Sequence, residues 1–237
     1  MLQIKNLSVK VGEKPILNQI SFDFETGKNY CILGKNGSGK SSLAMTLAGN
    51  PKYEISEGEL LLDGQNLTEM SPDERNKAGI FLTFQNIPEI PGVKLFEFLK
   101  TIYDARAKKP STFLEFKKII EPLMAELEIE KAFLWRDLNV GFSGGEKRKI
   151  EVLQIKLLKP KVIILDEIDS GLDVNAVKQV AELLKAVNTG GNSFIVITHL
   201  FEMLQELPLE KILILEQGKI KAIGGRELME QIRKEGF

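Results

Sequence analysis

A glycine-rich stretch near the start of the chain constrains its fold and its chemistry more than any other feature. Residues 30–48 read YCILGKNGSGKSSLAMTLA, which predicts a short apolar strand over Tyr30–Leu33, a turn, and a helix beginning near Lys40. The segment from Gly34 to Ser41 has the spacing GxxxxGKS, a phosphate-binding loop pattern. A strand before it and a helix after it are the context that this pattern requires. We therefore predict a nucleotide-phosphate site here.

Each residue type in this loop has a chemical reason. The glycines let backbone amides turn inward as a nest of donors for an anion, and the helix adds the positive end of its dipole. The Lys40 ammonium suits the β- and γ-phosphates, and the Ser41 hydroxyl suits Mg²⁺. The predicted phosphate-binding residues are Gly34, Lys35, Asn36, Gly37, Ser38, Gly39, Lys40, Ser41 and Ser42.

Charge and hydropathy exclude several classes of protein. The net charge of −1 offers no basic surface for nucleic acid. No apolar run approaches the roughly 20 residues of a membrane span, and the first ten residues lack a signal-peptide profile. We expect a cytoplasmic chain that is not inserted in a membrane. Its single cysteine, Cys31, lies in the apolar strand, where a buried small hydrophobe is a better interpretation than a reactive thiol.

The remaining patterns predict one α/β domain. Alternating apolar and polar residues over 1–26, with a turn at Gly12–Pro15, indicate antiparallel strands, and Gly58–Gly64 indicates another strand and turn of that sheet. Apolar runs indicate buried strands, and capping residues or helical spacing indicate helices. We predict helices from Ser71, over Phe96–Ala107, Thr112–Leu127 and Ser143–Lys159, up to Val187 and over Gly225–Phe237, strands over Gly79–Gln85, Lys161–Asp166 and Phe194–Thr198, and a hairpin over Ile212–Ile223.

We expect residues 1–237 to form a single domain. A β lobe and a nucleotide-binding core would comprise residues 1–85 and 151–237, with a helical lobe inserted over residues 86–150.

Polar side chains follow three of the predicted strands, at the edge where ligands bind in α/β sheets. Gln85 is either a surface amide or a ligand that orients Mg²⁺ or the attacking water. Asp166 suits the Mg²⁺ shell and Glu167 the base that orients water, because carboxylates after a buried strand are costly without a cation or a reaction. A helix N-cap with a first-turn acid is the alternative. His199, the single histidine, is either structural or a γ-phosphate contact.

A second glycine-rich helix start lies at Ser143-Gly144-Gly145-Glu146. Ser143 and Glu146 have the spacing of a capping box, so an ordinary well-capped helix explains the pattern. Paired glycines at a helix N-terminus also form a bare anion site, which a fold does not need for stability. Both interpretations stay open from these residues alone.

In order and spacing, these motifs resemble those of ABC-type ATPase domains over essentially the whole chain. The matching motifs are the phosphate-binding loop, Gln85, SGGE at 143–146, VIILDE at 162–167, SGLD at 170–173 and His199. The resemblance implies a P-loop NTPase core with a mainly parallel sheet, an antiparallel β lobe and an inserted helical lobe.

The same resemblance implies Mg²⁺-dependent ATP hydrolysis, with ATP and Mg²⁺ as the bound ligands. Lys40, Glu167 and His199 would be catalytic, and Ser41, Gln85 and Asp166 would hold the metal. Two copies would pair head to tail when ATP binds. The second copy would then contribute further ATP contacts, from Ser143, Gly144, Gly145, Glu146 and Asp173.

Departures from the general pattern narrow the resemblance to the SufC family, the ATPases of the SUF iron–sulfur cluster assembly system. Glu146 replaces the usual glutamine, Ile168-Asp169 replaces proline-threonine, and Val11 stands where an adenine-stacking aromatic is usual. GIFLTFQNIPEIPGV at 79–93 and NVGFSGGEKRK at 139–149 add to this resemblance. The missing aromatic predicts modest nucleotide affinity.

The family resemblance implies SufB/SufD-like scaffold proteins as partners. An iron–sulfur cluster typically needs about four thiolates, and this chain has one cysteine, so a cluster would be built on the partner. The proline-rich segment 86–93 cannot be helical and would offer Ile87, Ile90 and Val93 to the scaffold as a surface loop. Alternatively, these residues only hold the helical lobe to the core.

Two other functions remain open. One is the ATPase subunit of a membrane ABC transporter. The other is a nucleotide-gated clamp that binds ATP with little turnover, which a phosphate-release assay would distinguish.

Overall fold

A computed structural model describes residues 1–84, 86–107, 109–166, 191–198 and 208–235. These residues divide into two compact units. The first contains residues 1–84, 160–166, 191–198 and 208–235, and the second contains residues 86–107 and 109–159.

An antiparallel sheet forms one layer of the first unit. Its strands are β1 (Leu2–Val11), β2 (Lys14–Phe24), β4 (Glu54–Leu62) and β5 (Gln65–Asn66), in the order β2-β1-β4-β5. The alternating apolar residues of β1 face the core, where Leu2, Ile4, Leu7 and Val9 are at most 1% exposed. The antiparallel strands predicted over residues 1–26 are confirmed. The strand predicted at Gly58 begins earlier, at Glu54.

The second sheet of the first unit has six strands among the described residues. Its order is β12-β11-β3-β10-β9-β6, and all neighbouring strands are parallel except the β11–β12 hairpin. Both faces of its central strands are covered, which explains their unbroken apolar sequences. The strands are β3 (Tyr30–Leu33), β6 (Ile80–Thr83), β9 (Val162–Asp166), β10 (Ser193–Ile197), β11 (Lys211–Glu216) and β12 (Lys219–Gly224).

Three helices of the first unit are described, and each confirms a predicted start. They are α1 (Lys40–Leu47), α2 (Pro72–Ala78) and α6 (Arg226–Glu235). Ser71 and Glu74 form the predicted capping box of α2. Cys31 of β3 is fully buried, as expected for a small core residue.

The second unit is mainly helical. It contains β7 (Ile90–Lys94), α3 (Leu95–Ala107), α4 (Phe113–Glu126), a 3₁₀ helix (Lys131–Trp135), β8 (Asp137–Leu138) and α5 (Gly144–Leu158). Phe116, Ile120 and Met124 of α4 are completely buried. The predicted helices at 96–107, 112–127 and 143–159 are confirmed to within one or two residues.

The prediction of a plain surface loop over residues 86–93 was partly wrong. The segment is not helical, as predicted, but Ile90–Lys94 pairs antiparallel with Asp137–Leu138 as a short ribbon. Pro91 blocks a helix yet is tolerated in a short edge strand, where its missing N–H need not face a partner.

In the described part of the chain, no helix combines the length and the apolar character that a membrane crossing requires.

Candidate functional site: a phosphate-binding loop

The predicted loop lies at the carboxyl end of β3, between that strand and α1. β3 is an inner strand of the parallel sheet, flanked by β10 and β11. In open α/β sheets the carboxyl edge is where ligands bind. The fold therefore places residues 34–39 at the edge where a bound anion is expected.

Two glycines of the loop have positive φ angles, and one of them also has no room for a side chain. Gly34 has φ +154°, and a Cβ added there would lie 2.2 Å from the Leu215 carbonyl oxygen. Gly39 has φ +107°, and a Cβ there would lie 2.9 Å from Leu17 Cδ2. Gly34 therefore needs glycine for backbone conformation and for space, and Gly39 needs it for backbone conformation. These two glycines allow the loop to turn sharply next to β11.

The Lys40 ammonium is held against this loop. Lys40 is only 5% exposed, and its Nζ donates hydrogen bonds to the carbonyl oxygens of Gly34 at 2.8 Å and Lys35 at 3.1 Å. A buried cation is costly unless such acceptors or an anion meet it. The geometry keeps a positive charge at the loop that a phosphate would occupy.

Ser38 supplies a buried donor at the same place. Among the described residues its hydroxyl has no hydrogen-bond partner, although it is buried. An unpaired buried polar group costs about 1–3 kcal/mol. A phosphate oxygen would remove that cost, so the residues fit a bound nucleotide.

Ser41 and Asp166 lie side by side beyond the loop. The Ser41 hydroxyl donates to Asp166 Oδ1 at 3.1 Å, and Asp166 is 3% exposed at the end of β9. A hydroxyl and a carboxylate are hard oxygen ligands of the kind that Mg²⁺ prefers. The two residues would hold the ion, and Mg²⁺ would neutralise charge on the transferred phosphate.

The other predicted loop residues are arranged around these groups. Lys35, Asn36 and Gly37 are exposed, and Ser42 is half-buried in the first turn of α1. Backbone hydrogen bonds fix the loop, from Ser38 N to Lys35 O at 3.1 Å and from Gly218 N to Ser38 O at 2.9 Å.

The second glycine-rich motif starts α5 in the helical unit. Ser143 Oγ accepts from the Glu146 amide at 3.3 Å, and the Ser143 amide donates to the Glu146 carboxylate at 2.7 Å. These two bonds confirm the capping box. Hydrogen bonds to the Glu146 carboxylate from the Ser143 amide and from the Ser143 hydroxyl lower the pKa of Glu146. Gly144 and Gly145 have no neighbouring atom within 4 Å of an added Cβ. The helix start is thus capped and also open to a ligand.

Four predicted site residues lie outside the described residues. They are Gln85, Glu167, Asp173 and His199.

Sequence reasoning missed Arg75, which supports the loop helix from behind. Arg75 is 3% exposed, and its guanidinium donates to the carbonyl oxygens of Thr46 at 2.5 Å and Leu47 at 3.3 Å, at the end of α1. It also donates to Thr68 O at 2.7 Å and Met70 O at 3.0 Å. Burial lowers the pKa of this guanidinium. No pattern in the sequence distinguishes it from an exposed helical arginine.

The amino-acid sequence matches a known protein family and curated relatives over most or all of its length. Residues 17–170 match the family described as ABC transporter. The chain is 42% identical over 241 residues to a probable ATP-dependent transporter, ycf16, of Antithamnion sp., covering 100% of this chain and 96% of that protein. It is 40% identical over 241 residues to the probable ATP-dependent transporter SufC of Escherichia coli (strain K12), covering 100% and 97%.

Solved structures show the same fold. An ATP binding subunit of an ABC transporter matches with a TM-score of 0.80 at 23% identity, covering 100% of this chain and 95% of that one. An ATP-binding cassette bound to ADP and Pi, solved as a dimer, matches with a TM-score of 0.79 at 23% identity, covering 94% and 98%.

Proposed function

This chain belongs to the ABC transporter family as an ATP-binding ATPase of the SufC/ycf16 type, and we propose that it drives a soluble iron–sulfur cluster assembly scaffold. The observation that carries this proposal is the 40% identity to SufC over the whole chain. The expected partners are SufB/SufD-like proteins.

We assign the reaction to residues at two places. Gly34–Ser42 would bind the ATP phosphates, with Lys40 against the β- and γ-phosphates. Ser41 and Asp166, with Gln85, would hold Mg²⁺. Glu167 would orient and deprotonate the attacking water, and His199 would contact the γ-phosphate, so His199→Ala should lose most activity. The buried Lys40 and the Ser41–Asp166 contact support these roles.

A second copy of the chain would complete the site. Ser143, Gly144, Gly145 and Glu146, with Asp173, would bind ATP held by the loop of the other copy. The open α5 start supports this role, because a helix N-terminus with bare amides suits a phosphate. A solved cassette with this fold is described as a dimer.

The cysteine content supports a partner that carries the cluster. The chain has one cysteine, and Cys31 is fully buried. A cluster typically needs about four thiolates. The protein would use ATP to drive a conformational change, and the scaffold would supply the thiolate ligands of the cluster.

We place the scaffold at residues 86–94. Ile90 is 38% exposed, which is high for an isoleucine in a strand. Replacing Ile87 and Ile90 together with Asp should weaken scaffold binding while fold and ATP binding survive. Unchanged scaffold binding by a well-folded double variant would place the docking site elsewhere.

The ATPase subunit of a membrane transporter is the second candidate, because both relatives carry the name transporter. Affinity capture of the tagged chain from its own cells distinguishes the two. Recovery of a cysteine-containing soluble scaffold supports the proposal. Recovery of polytopic membrane proteins in its place would contradict it.

A further inference from the structure

Residues 86–94 are attached to the start of α5 by two side chains at the Ile90–Leu138 end of the ribbon formed by β7 and β8. The Glu89 carboxylate accepts from Lys147 Nζ at 2.8 Å and from the Gly141 amide, and these bonds lower the pKa of Glu89. Lys147 lies in the first turn of α5, and Gly141 lies two residues before its cap. The Glu89 carboxylate therefore contacts one residue before the N-cap of α5 and one residue after it.

Asn139 makes the buried part of this attachment. It is 4% exposed, and its Nδ2 donates to the Pro88 carbonyl oxygen at 2.9 Å. Its φ of +63° is a conformation that asparagine tolerates better than most residues. An exposed ion pair such as Glu89–Lys147 is worth little by itself. The buried amide bond should therefore carry most of the attachment.

Arg136 stiffens the segment between the ribbon and α5. Its guanidinium lies 4.8 Å from the Phe133 ring centroid and 4.5 Å from that of Phe142. Its Nη2 donates to the carbonyl oxygens of Val140 at 3.4 Å and Gly141 at 3.3 Å. Because these contacts hold Val140, Gly141 and Phe142 together, we expect a movement of Asn139 to move Phe142 and Ser143 as well.

We propose that Glu89 and Asn139 are positioning residues, which make residues 86–94 and the start of α5 move as one body. This inference rests on the proposed function, in which the first segment docks the scaffold and the second closes over ATP in the other copy. Scaffold binding would then set the orientation of Ser143–Gly145, and ATP closure would in turn move the docking segment.

The test uses Asn139→Asp combined with Glu89→Gln. Ionised aspartate keeps the size and the backbone preference of Asn139 but cannot donate to Pro88, and glutamine keeps the shape of Glu89 without its charge. Glu126→Gln is the matched control, because Glu126, the last residue of α4, pairs with Lys156 of α5 at 2.7 Å, outside this attachment.

We expect the double variant to bind nucleotide as the wild type does, because the P-loop is untouched. At low protein concentration its ATP hydrolysis per subunit should fall about tenfold, as expected for losing a buried hydrogen bond. Hydrolysis should recover as protein concentration rises, because a poorly aligned α5 start weakens closure of the two copies. A merely structural role would not produce this concentration dependence.

A folded double variant with wild-type hydrolysis at every protein concentration would overturn the proposal. If the double variant does not fold, Glu89→Gln alone must slow hydrolysis more than Glu126→Gln, and equal rates would overturn it as well. The reversed pair Glu89→Lys with Lys147→Glu should restore part of the rate lost by Glu89→Lys. A wild type that neither hydrolyses ATP nor associates with it would instead contradict the proposed function.

Discussion

The Ser41 hydroxyl donates a 3.1 Å hydrogen bond to the Asp166 carboxylate across 125 residues of sequence. Ser41 lies in the first turn of α1, after β3, and Asp166 ends β9, two strands away in the sheet order β3-β10-β9. Carboxyl ends of parallel strands meet at one edge of a sheet. The contact therefore brings together two residues that different motifs had marked for Mg²⁺.

This contact predicts a metal-dependent loss when either partner changes. Ser41→Ala and Asp166→Asn should each lower the apparent affinity for Mg²⁺ in ATP hydrolysis about tenfold or more, because each removes one hard oxygen ligand. Titration of Mg²⁺ at fixed ATP measures the effect. Ser56→Ala is the control, because this serine lies on the surface of the β lobe. Unchanged Mg²⁺ dependence in both variants would remove these residues from the metal site.

Lys40→Ala should abolish ATP binding or lower turnover by about a hundredfold or more. The variant loses a charge-assisted contact to the phosphates at a site where solvent is excluded. Nucleotide binding and phosphate release measure the two effects separately. Lys10→Ala, which removes a lysine paired with Glu54 on the β lobe, should change neither. Hydrolysis equal to the wild type would show that the loop does not bind the phosphates.

Glu167→Gln should bind ATP, fail to cleave it, and persist as a dimer. The amide keeps the shape of the side chain but cannot take a proton from water. Sedimentation with ATP and Mg²⁺ measures the association, and the wild type without nucleotide should be mainly monomeric. A dimer that forms equally without ATP would point to another interface.

Arg75→Met should destabilise the protein, although Arg75 is not one of the residues that would contact the nucleotide. The substitution removes the guanidinium donor from four carbonyl oxygens, two of them in buried hydrogen bonds, which should cost about 3 kcal/mol. For a chain of this size the thermal midpoint should fall by about 6–12 °C. Lys77→Met on the same helix removes only the exposed pair with Asp73 and should change the midpoint little. Equal midpoints for the two variants would show that Arg75 does not support α1.

Stability should depend on pH through Glu146. Hydrogen bonds from the Ser143 amide and hydroxyl lower its pKa below the ordinary 4.5. The stabilisation is therefore present above 4.5 and is lost as the pH falls through the lowered folded value. Glu146→Gln should be less stable than the wild type at neutral pH, and the difference should be smaller at about pH 3, below the ordinary carboxyl value. Urea unfolding at both values measures it, and a constant difference would contradict the assignment.

Residues that lie close together in the sequence determined several elements of this protein. The spacing of Gly34, Gly39 and Lys40 predicted a strand, a turn and a helix, because each residue type is required by the backbone conformation or by the phosphate. Ser143 with Glu146 predicted a helix start, since a capping box involves residues only three apart. The apolar run before Asp166 predicted a buried strand. All three are confirmed.

The tertiary structure determined the features that depend on contacts between residues far apart in the sequence. Pro91 excluded a helix, but only Asp137–Leu138 made its segment a strand, because a ladder needs a second chain segment in register. Arg75 became a buried support for α1 only because the fold brings the carbonyls of Thr46 and Thr68 around one guanidinium. The attachment of Glu89 and Asn139 to the start of α5 likewise depends on contacts between residues that lie 51 and 58 positions apart. Such contacts carry no local periodicity, and for that reason no pattern in the sequence predicted them.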